Sequence, residues 1–165
     1  MLREMIISGL TIDPVTNSPI MILKEPDGDN VLPIWIGLLE ATAIACELED
    51  IKFSRPMTHD LYKNTLEEIG VKVTKIEVCD LRDNTYYARI FLSSSEGDTS
   101  VDARPSDAIA IALRTRAPIF IHDEVIKKSK ASDATPKETI STEEGKKWTE
   151  ILQNLKSEDF GKYKM

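Results

Sequence analysis

Four carboxylates, one imidazole and two guanidiniums make up the chemistry this chain offers. Glu40, Asp60, Asp102 and Asp107 stand beside otherwise apolar or structured segments, and together they are hard oxygen donors of the kind that hold a divalent metal such as Mg. An ion bound there would activate water for attack on a phosphodiester. His59 has the side chain suited to general acid or base work near neutral pH, and beside Thr58 it can equally serve as a polar cap. Arg55 and Arg104 each precede a proline and a helix start, where a planar guanidinium grips a phosphate or clamps one of the carboxylates within the chain. The internal clamp is the plainer use. The carboxylates too have a plain reading, since Asp and Glu in a first helical turn are favoured by the helix dipole by about 0.3–1 kcal/mol with no catalytic role.

Other chemistries find little support. The chain has no GxGxxG, no phosphate-binding GxxxxGK[ST], no GxSxG elbow and no HExxH. The doublet His59-Asp60 suits metal-dependent phosphohydrolases only when further His ligands exist, and His122 is the one other histidine. Cys46 and Cys79 lie far apart without a CxxC, so they read as reduced structural thiols. Trp35 has aliphatic neighbours and reads as core or interface. With 28 acidic against 21 basic residues the net charge is −7, which repels polyphosphate at long range. Binding to nucleic acid then needs a local basic patch or metal ions.

The elements that must position these groups follow from local pattern. Residues 4–13 and 19–25 read as strands joined by a turn, and Val31–Ile36 as a third strand whose Pro33 favours an edge. An Ala-rich helix follows from Leu38 to about Asp50. Thr58 reads as the N-cap of a second helix, with Leu61, Leu66 and Ile69 as an apolar stripe ending at Gly70. Three more strands, 71–81, 85–94 and 99–103, lead to a helix over 106–116 with Pro105 at its start. A short strand at 118–121 comes last.

The order β-β-β-α therefore runs twice, and Glu40-Ala41-Thr42-Ala43-Ile44-Ala45 echoes Asp107-Ala108-Ile109-Ala110-Ile111-Ala112 at the two helix openings. This predicts an α+β fold from a duplicated β-β-β-α unit, with a mainly antiparallel or mixed sheet and packed helices. The 165 residues suit one domain over 1–126, a polar linker over 127–140 and a C-terminal amphipathic helix and tail over 141–165. Trp148, Ile151, Leu152 and Leu155 form the apolar stripe of that tail. The repeat's helices carry apolar or small residues on most faces, which predicts cover from more than one side and hence a homodimer. No run approaches the roughly 18 to 20 apolar residues of a membrane span, and the N-terminus lacks a signal-peptide pattern. A cytoplasmic protein without membrane association is expected.

Several motifs in order add a resemblance. Leu32-Pro33-Ile34-Trp35-Ile36-Gly37 with Glu40-Ala41, then Arg55-Pro56-Met57-Thr58-His59-Asp60-Leu61, then Asp102-Ala103-Arg104-Pro105-Ser106-Asp107-Ala108 followed by Ala117-Pro118-Ile119-Phe120, resemble the bifunctional nuclease domain family over roughly residues 4–125. The resemblance implies a compact α+β domain, a dimer, and cleavage of DNA and RNA. It brings Glu40, Arg55, His59, Asp60, Asp102, Arg104 and Asp107 forward as candidates without assigning roles among them. The alternative is a non-catalytic dimeric binding or regulatory module in which these polar residues form an internal salt-bridge network.

Overall fold

A computed structural model describes residues 1–131. The expected C-terminal helix and most of the polar linker lie outside the described residues. Among them are seven strands and four helices: β1 (Leu2–Ile12), β2 (Pro19–Lys24), β3 (Val31–Trp35), α1 (Leu38–Leu48), α2 (Thr58–Glu68), β4 (Lys72–Arg82), β5 (Thr85–Ser94), β6 (Gly97–Ala103), α3 (Pro105–Thr115), β7 (Ile119–His122) and α4 (Asp123–Ala131). The fold is α+β. The order β-β-β-α occurs twice, as β1 to α1 and as β4 to α3, with α2 inserted between.

One mixed sheet carries all seven strands in the order β3-β2-β1-β7-β4-β5-β6. Two antiparallel meanders thus flank β7, which pairs antiparallel with β1 and parallel with β4. The long strand β1 joins the two halves by pairing with β7 through Leu2–Met5 and with β2 from Ile6 onward. Pro33 lies on the edge strand β3, where the N–H it lacks costs no ladder bond to a further strand. Asp83 and Asn84 both take positive φ in the β4–β5 turn, the conformation a two-residue hairpin needs to follow the strand twist.

Helix α3 is the centre of the helical layer. It packs on β4 and β5 from one side and on α1 and α2 from the other. Ala108, Ile109, Ala110, Ile111 and Ala112 are consequently all buried within this one chain. Its all-round apolar surface, which suggested cover from a second subunit, is covered by the chain's own sheet and helices. The second helix begins one residue earlier than its expected cap implied, with Met57 as N-cap and Thr58 already helical. Gly70 closes it at φ +72, a left-handed turn that a side chain would strain. At the far end, Lys127–Ala131, read as the start of a linker, belong to α4, whose Val125 and Ile126 are buried in the core.

Candidate functional site

Three helices open onto one place. Glu40, Asp60 and Asp107 each occupy the third helical position, of α1, α2 and α3 respectively, so the same local rule put a carboxylate in each first turn. The packing of α1 and α2 against α3 then brings the three openings together.

Arg104, the N-cap residue of α3, joins two of them. Its Nε donates to Asp107 Oδ2 at 2.7 Å and its Nη1 to Glu40 Oε1 at 2.7 Å. The guanidinium is 65% exposed, and its Nη2 has no hydrogen bond among the described residues. Glu40 folds back over its own N-cap Gly37 so closely that a Cβ there would strike the carboxylate. Any other residue at 37 would push Glu40 off that position.

His59, the second residue of α2, reaches the other oxygen of Asp107, with Nε2 2.9 Å from Oδ1. Because an ionised carboxylate only accepts, the contact places a proton on Nε2 and, in the neutral ring, leaves Nδ1 with a free lone pair. The ring is 17% exposed. Burial pushes the Asp107 carboxyl up, but hydrogen bonds from Arg104 and His59 outweigh it and hold the group below the usual carboxylate range. Asp107 therefore orients the imidazole as an anion, the role that stabilises an imidazolium when one forms.

Asp60 belongs to a different contact. Arg114, only 5% exposed, donates from Nε to Asp60 Oδ1 at 2.7 Å, from Nη1 to the Ala110 carbonyl at 2.9 Å and from Nη2 to the Ala43 carbonyl at 3.0 Å. One guanidinium thus ties α1, α2 and α3. Asp60 Oδ2 also accepts the Met57 backbone N–H at 3.0 Å, capping its own helix. Burial acts to raise the Asp60 carboxyl, and Arg114 with the Met57 amide more than reverses this.

Apart from Asp60, these residues line an open cleft of about 620 Å³, walled by Leu39, Phe53, Met57, Tyr62 and Val101 and reached by Glu40, His59, Asp102, Arg104, Asp107 and Arg114. That volume lies in the range of small-ligand sites. Asp102, on β6, faces it without an ion pair among the described residues. Arg55 does not join the group. It lines a second cleft of about 310 Å³ beside Lys52, Ser54, Asp60 and Asn64.

The carboxylates do not fit a ready divalent site. Glu40 and Asp107 are committed to Arg104 and Asp60 to Arg114, which leaves Asp102 alone. Among the described residues no three His, Cys, Asp or Glu side chains are grouped to hold a metal ion.

Sequence reasoning missed Arg114, Phe53 and Tyr62. For Arg114 a signal existed: it follows Asp107 by two helical turns on the same face of an Ala/Ile helix, where a charge must find a partner. The cysteines are as expected, both free, with Cys46 buried in the wall of both clefts. No helix among the described residues is long and apolar enough to cross a membrane.

Comparison with known proteins matches the sequence to a family. The chain is 33% identical over 162 residues to an uncharacterized protein of Mycobacterium tuberculosis strain H37Rv, covering 95% of this chain and 97% of that one. It is 28% identical over 137 residues to a bifunctional nuclease of Oryza minuta, 79% of this chain and 41% of the relative. Bifunctional nuclease 2 of Arabidopsis thaliana is 30% identical over 129 residues, 70% of this chain and 39% of the relative. The chain thus spans about two fifths of these plant relatives. The model of the bifunctional nuclease domain matches residues 21–134, which include every residue of the cleft, and the chain belongs to the bifunctional nuclease domain family.

Proposed function

We propose that this chain is a nuclease that hydrolyses phosphodiester bonds of DNA and RNA in the cleft where α1, α2 and α3 open. The observation that carries the reading is the 2.9 Å contact between His59 Nε2 and Asp107, set in a cleft beside a guanidinium with a free edge. His59 Nδ1 accepts a proton from water while the water oxygen bonds to phosphorus. The P–O ester bond breaks, and the leaving oxygen takes up a proton from the imidazolium or from solvent. Arg104 Nη2 meets the phosphate charge, and Glu40 and Asp107 fix that guanidinium in place. The reading belongs with a cytoplasmic protein. A homodimer is proposed alongside it, carried by the exposed Leu38 on α1, Leu61 on α2 and Ile69 at the C-cap of α2.

The test offers labelled single-stranded DNA and RNA to the purified chain, with and without chelator, beside His59→Asn and Asp107→Asn. Cleavage is expected with chelator present and is lost in both variants. Cleavage unchanged in both would remove this site from the reaction. Abolition by chelator would replace this mechanism with a metal-assisted one.

A second reading has its own observation. Arg104 spends Nε and Nη1 on two carboxylates and Arg114 uses all three of its nitrogens on Asp60 and two carbonyls, as in an internal salt-bridge network of a non-catalytic binding module. That reading expects no cleavage of either substrate by the unaltered chain.

A further inference from the structure

The two clefts are neighbours. Cys46, Phe53 and Arg114 line both, so the wall of the His59 cleft is also the wall of the smaller one. The smaller cleft is built largely from the α1–α2 connection, with Ile51, Lys52, Phe53, Ser54, Arg55 and Pro56 along it. Its charges are unevenly matched. Asp60 is held by Arg114, and Lys52 by Asp50 at 3.0 Å and Glu47 at 3.9 Å. Arg55 has no ion pair or hydrogen bond among the described residues, and its side chain is exposed at the rim. The smaller cleft therefore presents one uncompensated cation, with hydrogen-bonding groups from Ser54 and Asn64 beside it.

We infer that this second cleft is a phosphate subsite for the nucleotide next to the one held at His59, so that a single-stranded nucleic acid runs from one cleft to the other past Phe53. The inference rests on the nuclease reading of the first cleft. Arg55 is then a binding residue for a flanking phosphate and lies apart from the reacting one, which Arg104 meets. A chain of net charge −7 repels a polyanion at long range, so its hold on the strand depends on local cations of this kind. Each phosphate neutralised on a single strand contributes about 0.7 to the salt slope of log affinity. A charge-assisted hydrogen bond to phosphate corresponds to roughly tenfold in affinity.

The experiment measures binding of a short fluorescent single-stranded oligonucleotide by anisotropy across a salt series. The full chain carries His59→Asn throughout so that the probe stays intact. Arg55→Ala is expected to weaken binding about tenfold and to lower the salt slope by about 0.7, while Arg55→Lys keeps the slope. Lys72→Ala, which removes the same charge from a residue lining neither cleft, is expected to change little. Equal affinity and slope in Arg55→Ala, or an equal loss in Lys72→Ala, overturns the subsite while leaving the first cleft standing. Absence of binding by the parent itself sinks the nuclease reading and the subsite with it.

Discussion

The chain holds two histidine–carboxylate pairs of the same length in different surroundings. His59 Nε2 is 2.9 Å from Asp107, and His122 Nε2 is 2.9 Å from Glu77. The second pair joins the adjacent strands β7 and β4, where Lys75 on the same strand also reaches Glu77. Glu77 is buried, and both Lys75 and His122 contact its carboxylate. It lines neither cleft. The first pair sits at helix openings, in the wall of a cleft, with an arginine sharing its carboxylate. A His–carboxylate distance alone does not make a site. An open volume is what separates Asp107-His59 from Glu77-His122, since the first pair lines a cleft with the Arg104 guanidinium beside it and the second lines none.

The sharpest way to break the comparison is to remove each imidazole in turn. His59→Ala is expected to lower cleavage of labelled DNA and RNA by about 10²–10⁴-fold, the usual contribution of a positioned acid or base. His122→Ala is expected to leave it near the parent level. Equal losses in a gel or fluorescence assay would dissolve the distinction.

Stability separates the regions next. Arg114→Met removes the partner of Asp60 and two carbonyl contacts, and because Asp60 is 33% exposed and keeps its Met57 hydrogen bond, it is expected to cost about 1–3 kcal/mol in urea unfolding. The effect should be local in kind. Because α2 is tied to its neighbours by Arg114 and the His122 pair is held by strand ladders, the NMR signals of His59 should move while those of His122 stay. Movement of both would mean that the two regions are one cooperative network.

The smallest effect is the acid limb of stability. At Glu77, as at Asp107, burial acts to raise the carboxyl and hydrogen bonds reverse it, from Lys75 and His122 in this case, so both groups end below the usual range. A folded pKa below the unfolded value means that the native state binds fewer protons. Each group therefore contributes stability that is fully present above the ordinary carboxylate pKa of about 4 and is lost as pH falls through the lowered value. Glu77→Gln and Asp107→Asn should each flatten the decline of the urea midpoint below about pH 4 relative to the parent. A decline of unchanged steepness in either variant would show that its carboxylate is not held low by the fold.

Much of the scaffold could be read from neighbouring residues. The strands, the three helices through Thr115 and the turn at Asp83-Asn84 follow from periodicity and turn chemistry within a few positions. The Arg104–Asp107 contact was within reach as an i,i+3 pair. Arg55 and Arg104 looked alike, each before a proline and a helix. Only packing distinguished them, setting Arg104 between two carboxylates and Arg55 in the second cleft.

By itself, then, the sequence determined the order of elements and the carboxylate at the third position of three helices, because both depend on dihedral preference and on the helix dipole over a single turn. Tertiary structure decided which partner each carboxylate took. His59 and Asp107 are 48 residues apart, Asp60 and Arg114 are 54, and Glu40 and Arg104 are 64. No local preference acts over such separations. Burying α3 between the sheet and two helices brought those groups within 3 Å of one another, and burial required the Arg114 guanidinium among them to find partners.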